Sequence, residues 1–179
     1  MYRDKTLIPT EAIRMCALGI LAGGPKLYSE LASEVRAFAS RIMGPSLDVL
    51  GPPLELLTLE GLVKADAVAA ERGNPKVRIT KAGLEALHDL LRSKVRAPID
   101  DVNKLVIALK MRFLHMLDQA DRQVEIEALI ELCDQELGRL QDLRTQDCAN
   151  QSYLADWLDH EITQTESRRA FLAGYRDRV

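Results

Sequence analysis

The chain has 179 residues, 47% of them hydrophobic and 28% charged, which suits a folded protein of one domain, or of one small domain plus an interaction module. No apolar run approaches the ~20 residues of a bilayer span, and Met1-Tyr2-Arg3-Asp4-Lys5 lacks the apolar core of a secretory signal, so a cytoplasmic protein without a membrane partner is expected. The net charge of −3 divides unevenly: residues 1–98 hold 14 Lys+Arg against 11 Asp+Glu, the remainder 10 against 16, as in a basic nucleic-acid reader joined to an acidic partner module.

The first predicted helix covers residues 10–22, started by Pro9-Thr10, with Ile13, Ala17, Ile20 and Leu21 at helical spacing, and stopped by Gly23-Gly24-Pro25. A second runs from about Leu27, carries Leu31, Val35, Phe38 and Ile42, and ends at Gly44-Pro45. A third and shorter helix begins near Pro52-Pro53, turns Leu54 and Leu57 inward and stops before Gly61. The period then changes to two. Val63, Ala65 and Ala67 alternate with Lys64 and Asp66, and Val77 and Ile79 alternate with Lys76 and Arg78 on the return. Between these strands lies a polar turn that ends in Gly73-Asn74-Pro75. Thr80 suits the N-cap of a fourth helix that carries Leu84, Leu87 and Leu91. Three helices, a basic-tipped hairpin and a helix form the order of a winged helix-turn-helix, with the hairpin as its wing.

Pro98 places a boundary near residue 97, and Asp100 or Asp101 caps the next helix. Three long amphipathic helices follow. The first carries Val102, Leu105, Val106, Leu109, Phe113 and Met116; the second carries Ile126, Ile130, Cys133, Leu137 and Leu140. The third starts at about Ser152 and carries Leu154, Leu158, Thr165 and Leu172. Sustained spacings of three and four favour coiled-coil-like packing, and three such helices need a second copy of the chain to cover their stripes. The expected fold is mainly α with a small β-hairpin wing: a winged-helix DNA-binding domain over 1–97 and a helical dimerisation and effector-binding domain over 98–179.

With its elements in this order, the chain resembles the PadR-like transcription regulators. The segment "EAIRMCALGILAGGPKLYSEL" is similar to that family's first helix, Gly-Pro turn and second helix, and "PPLELLTLEGLV" to the end of its recognition helix. "KVRITKAG" resembles the second wing strand entering the fourth helix. "LVIALKMRFLHMLD", "VEIEALIELCDQELGRL" and "YLADWLDHEI" resemble the dimerisation helices. Where the family commonly has His-Gly-Tyr-Glu, this chain has Leu27, Tyr28, Ser29 and Glu30; the recognition-helix tyrosine position falls on Gly51. No Lys or Arg occurs from Ser46 to Gly61, where Asp48, Glu55 and Glu60 stand instead. The resemblance implies a dimeric repressor on a palindromic double-stranded operator, released by a small effector. The family takes its name from a regulator of phenolic-acid detoxification, so it implies an aromatic acid.

Affinity for duplex DNA comes chiefly from neutralised phosphates, and sequence choice from side chains at base edges. Arg72, Lys76 and Arg78 on the wing are the phosphate candidates, with Lys26 and Arg41 flanking the second helix and Arg3 and Lys5 as a minor-groove arm. Arg72→Ala is expected to weaken binding to every duplex and flatten its salt dependence. Base readout falls on Ser46, Thr58 and Tyr28, with Asp48 or Glu55 accepting from a cytosine amino group. Any one of these cations has the plainer reading of a solvated surface charge. On the third C-terminal helix Tyr153, Trp157, His160, Phe171 and Tyr175 share a sector, and Arg112, with His115 nearby, interrupts the first helix's apolar stripe. A buried arginine needs an anion. One reading is an effector pocket in which an aromatic acid stacks on Trp157 and pairs with Arg112; the other is dimer-core aromatics and an arginine bonded to a helix-two glutamate.

Catalytic and metal chemistry find no motif. His88, His115 and His160 form no ligand pair, neither a phosphate-binding loop nor a nucleophile elbow is present, and no cofactor is expected. Cys16, Cys133 and Cys148 lack C-x-x-C or zinc-finger spacing and read as small apolar residues, with a redox sensor as the alternative. Two other classes of function stay open beside the repressor: a winged-helix protein–protein adaptor that has lost sequence-specific DNA binding, and an all-helical hydrolase, for which no nucleophile is found.

Overall fold

The computed structural model describes residues 9–44, 51–66, 74–95, 98–146, 153–176 and 178. It is mostly helical with a small three-stranded antiparallel sheet, the architecture of a winged helix with a helical unit. In chain order the elements are α1 (Pro9–Ala22), β1 (Lys26–Leu27), α2 (Tyr28–Met43), α3 (Gly51–Leu59), β2 (Val63–Ala65), β3 (Lys76–Ile79) and α4 (Lys81–Leu91). Then come α5 (Asp101–Phe113), a 3-10 turn at Leu114–Met116, α6 (Gln119–Gln146) and α7 (Leu154–Arg176). The chain divides into two compact units, Met1–Lys94 with Asp100–Leu117 and Val95–Ile99 with Asp118–Val179.

The first unit is built around α1. Ala12, Ile13, Met15, Cys16, Ala17, Leu18, Ile20 and Leu21 are all buried, so this helix is covered on nearly every side rather than along the one stripe its spacing suggested. Its neighbours are α2, α3, α4, α5 and β3. Close approach of α5 explains Gly19: a Cβ there would stand 2.5 Å from the Phe113 ring. Thus α5, the first helix beyond Pro98, packs within the winged-helix unit.

Caps and close contacts set the angles of these elements. Thr80 Oγ1 accepts from the Gly83 N–H at 3.1 Å, and its hydroxyl donates to the Gly61 carbonyl at 2.8 Å, so one residue starts α4 and closes the exit from α3. A Cβ on Gly83 would run into the Leu62 carbonyl and lie 2.7 Å from Ile79 Cγ1. Asp100 caps α5 by accepting from Asn103 N at 2.8 Å. Lys110 is buried to 1% exposure, and its ammonium donates to the carbonyl of Leu91, the last residue of α4, where a cation complements the helix dipole.

In the sheet the order is β1-β3-β2. Two-residue β1 is too short to carry a periodic signal in the sequence; it exists because Lys26 and Leu27 find Val77 and Lys76 across the ladder.

In the second unit α6 and α7 form an antiparallel hairpin. The pairs Arg144–Asp159 at 2.8 Å, Arg169–Asp134 at 2.5 Å and Arg176–Glu127 at 3.6 Å show α7 numbers rising as α6 numbers fall. Ile126, Ile130, Cys133, Leu137 and Leu140 are buried on α6, as are Leu158, Thr165 and Leu172 on α7. The Thr165 hydroxyl donates to the Glu161 carbonyl at 2.9 Å, which satisfies it within the packed face. Leu154, expected on the inner side, is 38% exposed.

Candidate nucleic-acid interface

The register of β2 on β3 sorts the wing into two faces. Residues directly opposite in an antiparallel pair project to the same side. Val63 faces Ile79 and Ala65 faces Val77 on one side, where Val63 and Val77 are buried. On the other side Lys64 faces Arg78, and Lys76 lies two residues along the strand. Lys64, Lys76 and Arg78 are all exposed. Two like charges placed opposite each other weaken a sheet; among the described residues one acid answers them, Asp66, which accepts from Arg78 at 3.4 Å, with both side chains more than half exposed. Pro25, Asp66, Lys76, Val77 and Arg78 line a shallow open depression beside this face. Lys64 is not among the sequence candidates for phosphate contact; the strand register, which sets it opposite Arg78, adds it to the cationic face.

The start of α2 is clipped to the start of β3. The Tyr28 N–H donates to the Pro75 carbonyl at 3.0 Å, and the Ser29 N–H to Asn74 Oδ1 at 3.0 Å. Asn74 Nδ2 donates in return to Ser29 Oγ at 2.9 Å, while Glu30 accepts from Leu27 N at 3.2 Å. These bonds satisfy first-turn N–H groups that a helix leaves open. Asn74, read from sequence as part of a turn, is a helix cap supplied from 45 residues away. Tyr28 is half-buried, and its phenol is pushed up by burial and secondarily by the nearby Glu55 carboxylate.

Lys26 is on the inner side of β1, and its ammonium pairs with Glu34 Oε2 at 3.0 Å. The other oxygen of the same carboxylate takes Arg112 Nη2 at 3.0 Å. Glu34 therefore bridges the wing edge and α5, and bonds from Lys26 and then Arg112 hold its carboxyl below the usual value despite partial burial. Arg112 also lies over the Phe38 and Phe113 rings, 4.8 and 5.1 Å from their centroids. The anion that Arg112 requires is thus Glu34.

Thr58 is exposed on α3 beside the exposed Glu55, Leu56 and Leu59. Glu60 is engaged elsewhere: its carboxylate takes both terminal nitrogens of Arg14 on α1, one of them at 2.9 Å. One of the acids that makes this segment look unfavourable for DNA therefore ties α3 to the core. Arg41 is exposed at the far end of α2, about 20 Å along the helix from Tyr28, and donates to the Ala37 carbonyl at 3.2 Å. The wing cations and the start of α2 lie together, whereas Arg41 stands apart. Ser46, Arg72, Asp48, Arg3 and Lys5 lie outside the described residues.

The residues expected to hold an effector fall on both units, with Arg112 and His115 on the first and Tyr153, Trp157 and His160 on the second. His115 and His160 are exposed, as are Tyr153 at 91% and Trp157 at 53%. Phe171 packs on Tyr175 with ring centroids 5.0 Å apart. Cys16 is buried and its thiol is pushed up to about 12 by desolvation; burial raises Cys133 as well. Among the described residues no cluster of His, Cys, Asp or Glu suits a metal ion, and no helix is long and apolar enough to cross a membrane.

A three-helix core, a small sheet with a cationic outer face and a long helical hairpin define a winged-helix regulator of transcription. The chain belongs to the AphA-like family of transcriptional regulators: the family model described as "Putative AphA-like transcriptional regulator" matches residues 2–175. Among solved structures it is similar to smu.1604c from Streptococcus mutans UA159, at 19% identity over 90% of this chain and 96% of that one, with a TM-score of 0.40. No curated protein sequence matches it.

Proposed function

We propose that the protein is a dimeric repressor that binds a palindromic operator in double-stranded DNA and releases it when a small effector binds. The observation that carries the DNA-binding part is the outer face of the wing, where Lys64, Lys76 and Arg78 stand together with one partly exposed acid, Asp66, among the described residues. A face of this kind neutralises phosphates without selecting sequence. Dimerisation is supported by what the α6–α7 hairpin leaves uncovered: Trp157 and Phe171 are still 53% and 54% exposed, and a second copy would cover them.

The PadR-like resemblance supplies the finer reading, an aromatic (phenolic) acid as effector. Arg112 is the carboxylate partner in that reading, and an incoming acid must compete with Glu34 for it. Displacing Glu34 also loosens Lys26 at the wing edge, which couples effector to reader through one carboxylate. One observation favours the protein–protein adaptor instead: the exposed face of α3 presents Glu55, Leu56 and Leu59 and no cation.

Gel shifts on the DNA upstream of the protein's own gene, over a salt series and with a panel of phenolic acids, test this function. A salt-sensitive complex dissolved by one acid, from a protein that sediments as a dimer, is the expected result. A protein that retards no duplex at low salt is not a DNA-binding repressor.

A further inference from the structure

We propose that α3 reads pyrimidines, with Leu59 and Leu56 seated against thymine C5-methyl groups and Glu55 accepting from a cytosine amino group; this rests on the DNA-binding reading above. Guanine is read in the major groove by Arg or Lys and adenine by Asn or Gln. The segment from Ser46 to Gly61 contains none of these four residue types, and no histidine. Of the chemistries left to it, a hydroxyl both donates and accepts and so does not choose a base, whereas carboxylate and hydrocarbon match the cytosine N4 amino group and the thymine methyl.

The structure then decides which residues are available. Leu54 and Leu57 are buried at 4% and 1% exposure and hold α3 to the core. Leu56 is 44% exposed and Leu59 81%, so neither is occupied within its unit. At 100° per residue Leu59 lies opposite the buried Leu54–Leu57 edge, with Glu55 and Leu56 on either side of it. These three therefore make one outward face, acid on one flank and hydrocarbon at the centre. Glu60 is withdrawn from that face by Arg14, which lowers the negative charge a phosphate-lined groove would meet. Affinity comes from Lys64, Lys76 and Arg78 and base choice from α3, a division that explains how a helix without a cation can serve as a reader.

The operator is unidentified, so the probe is a pool of duplexes with a randomised core, selected with the full-length protein. The enriched sites are expected to hold thymines, with cytosine close by, on one strand of each half-site. Replacing a contacted thymine by deoxyuridine removes only the methyl group and should weaken wild-type binding about fourfold. Leu59→Ala should bind the thymine duplex about as weakly as the wild type binds the uridine one, and should be indifferent to the exchange. Its high exposure makes Leu59 a safe site to truncate, and Glu55→Gln gives a second variant, expected to relax the choice at cytosine.

A selected site at which no deoxyuridine exchange matters, or a Leu59→Ala protein that keeps the full methyl penalty, overturns the proposal. So does a Leu59→Ser protein that changes its sedimentation but not its base preference, since α3 is then a protein-binding face. Binding that depends on the wing cations and enriches no sequence also refutes this readout, while leaving the DNA-binding reading intact. Retention of no duplex at all refutes that reading itself.

Discussion

Replacing Lys64, Lys76 and Arg78 together by glutamine separates a charge kept for binding from a charge kept for folding. Each phosphate neutralised on a duplex contributes about 0.9 to the slope of log affinity against log salt. If all three cations meet phosphates, the triple variant should lose about 2.7 from that slope. Over a rise from 50 to 200 mM salt those contacts account for a factor of about 40 in wild-type affinity, which the variant should not show.

Arg78 should contribute least, because Asp66 shares its guanidinium at 3.4 Å. Asp66→Asn should accordingly tighten binding and steepen the slope. Stability moves the other way. Lys64 and Arg78 face each other across the ladder, and removing that repulsion should leave Tm unchanged or slightly raised. The assay is fluorescence anisotropy on a labelled duplex at several salt concentrations, paired with thermal unfolding of the same proteins. A salt slope that survives in the triple variant removes the outer wing face from the interface.

Three further outcomes are expected. Gly83→Ala should destabilise by about 2 kcal/mol or more because its methyl meets backbone at Leu62, although this exchange usually stabilises a helix; an unchanged urea midpoint would contradict the close packing of α4 on the wing. Glu34 has a depressed pKa when folded, so its contribution to stability is complete above its unfolded value of about 4.3 and fades as pH falls through the lower folded value. Glu34→Gln should thus unfold at a lower temperature than wild type at pH 7, the two converging in acid as the wild-type carboxyl takes up its proton; a gap independent of pH would show that the bridge to Lys26 and Arg112 contributes nothing. In a Cys148→Ser protein Ellman's reagent at pH 8 should leave Cys16 and Cys133 unmodified until urea is added, since both thiols are buried with raised pKa. Stoichiometric labelling of the native protein would revive the redox reading.

Much of the fold was legible because its determinants are local. Gly23-Gly24-Pro25 ends α1 whatever surrounds it, and Thr80 caps α4 through a bond to a residue three positions on. Val63 and Val77 alternate with charged residues because one side of a small sheet must be covered. Partners distant in the sequence were not legible. Nothing near Arg112 indicates that its anion is Glu34, 78 residues earlier, or that the same carboxylate holds Lys26. Nor does the run Gly73-Asn74-Pro75 disclose that Asn74 caps α2. Such pairs depend on how the elements pack, and packing leaves no periodic trace.

By itself the sequence determined the order of the helices and of the two wing strands, the caps made by neighbouring residues, and the absence of any cation in the third helix, because propensity, turn chemistry and composition act within a few residues. The tertiary structure decided how the charges are used. It set Lys64 opposite Arg78 on the outer wing, spent Glu60 on Arg14 and Glu34 on Lys26 and Arg112, and left Leu59 bare. Whether a charged side chain is free or engaged depends on which residues folding brings within a few ångströms of it, and those come from distant parts of the chain.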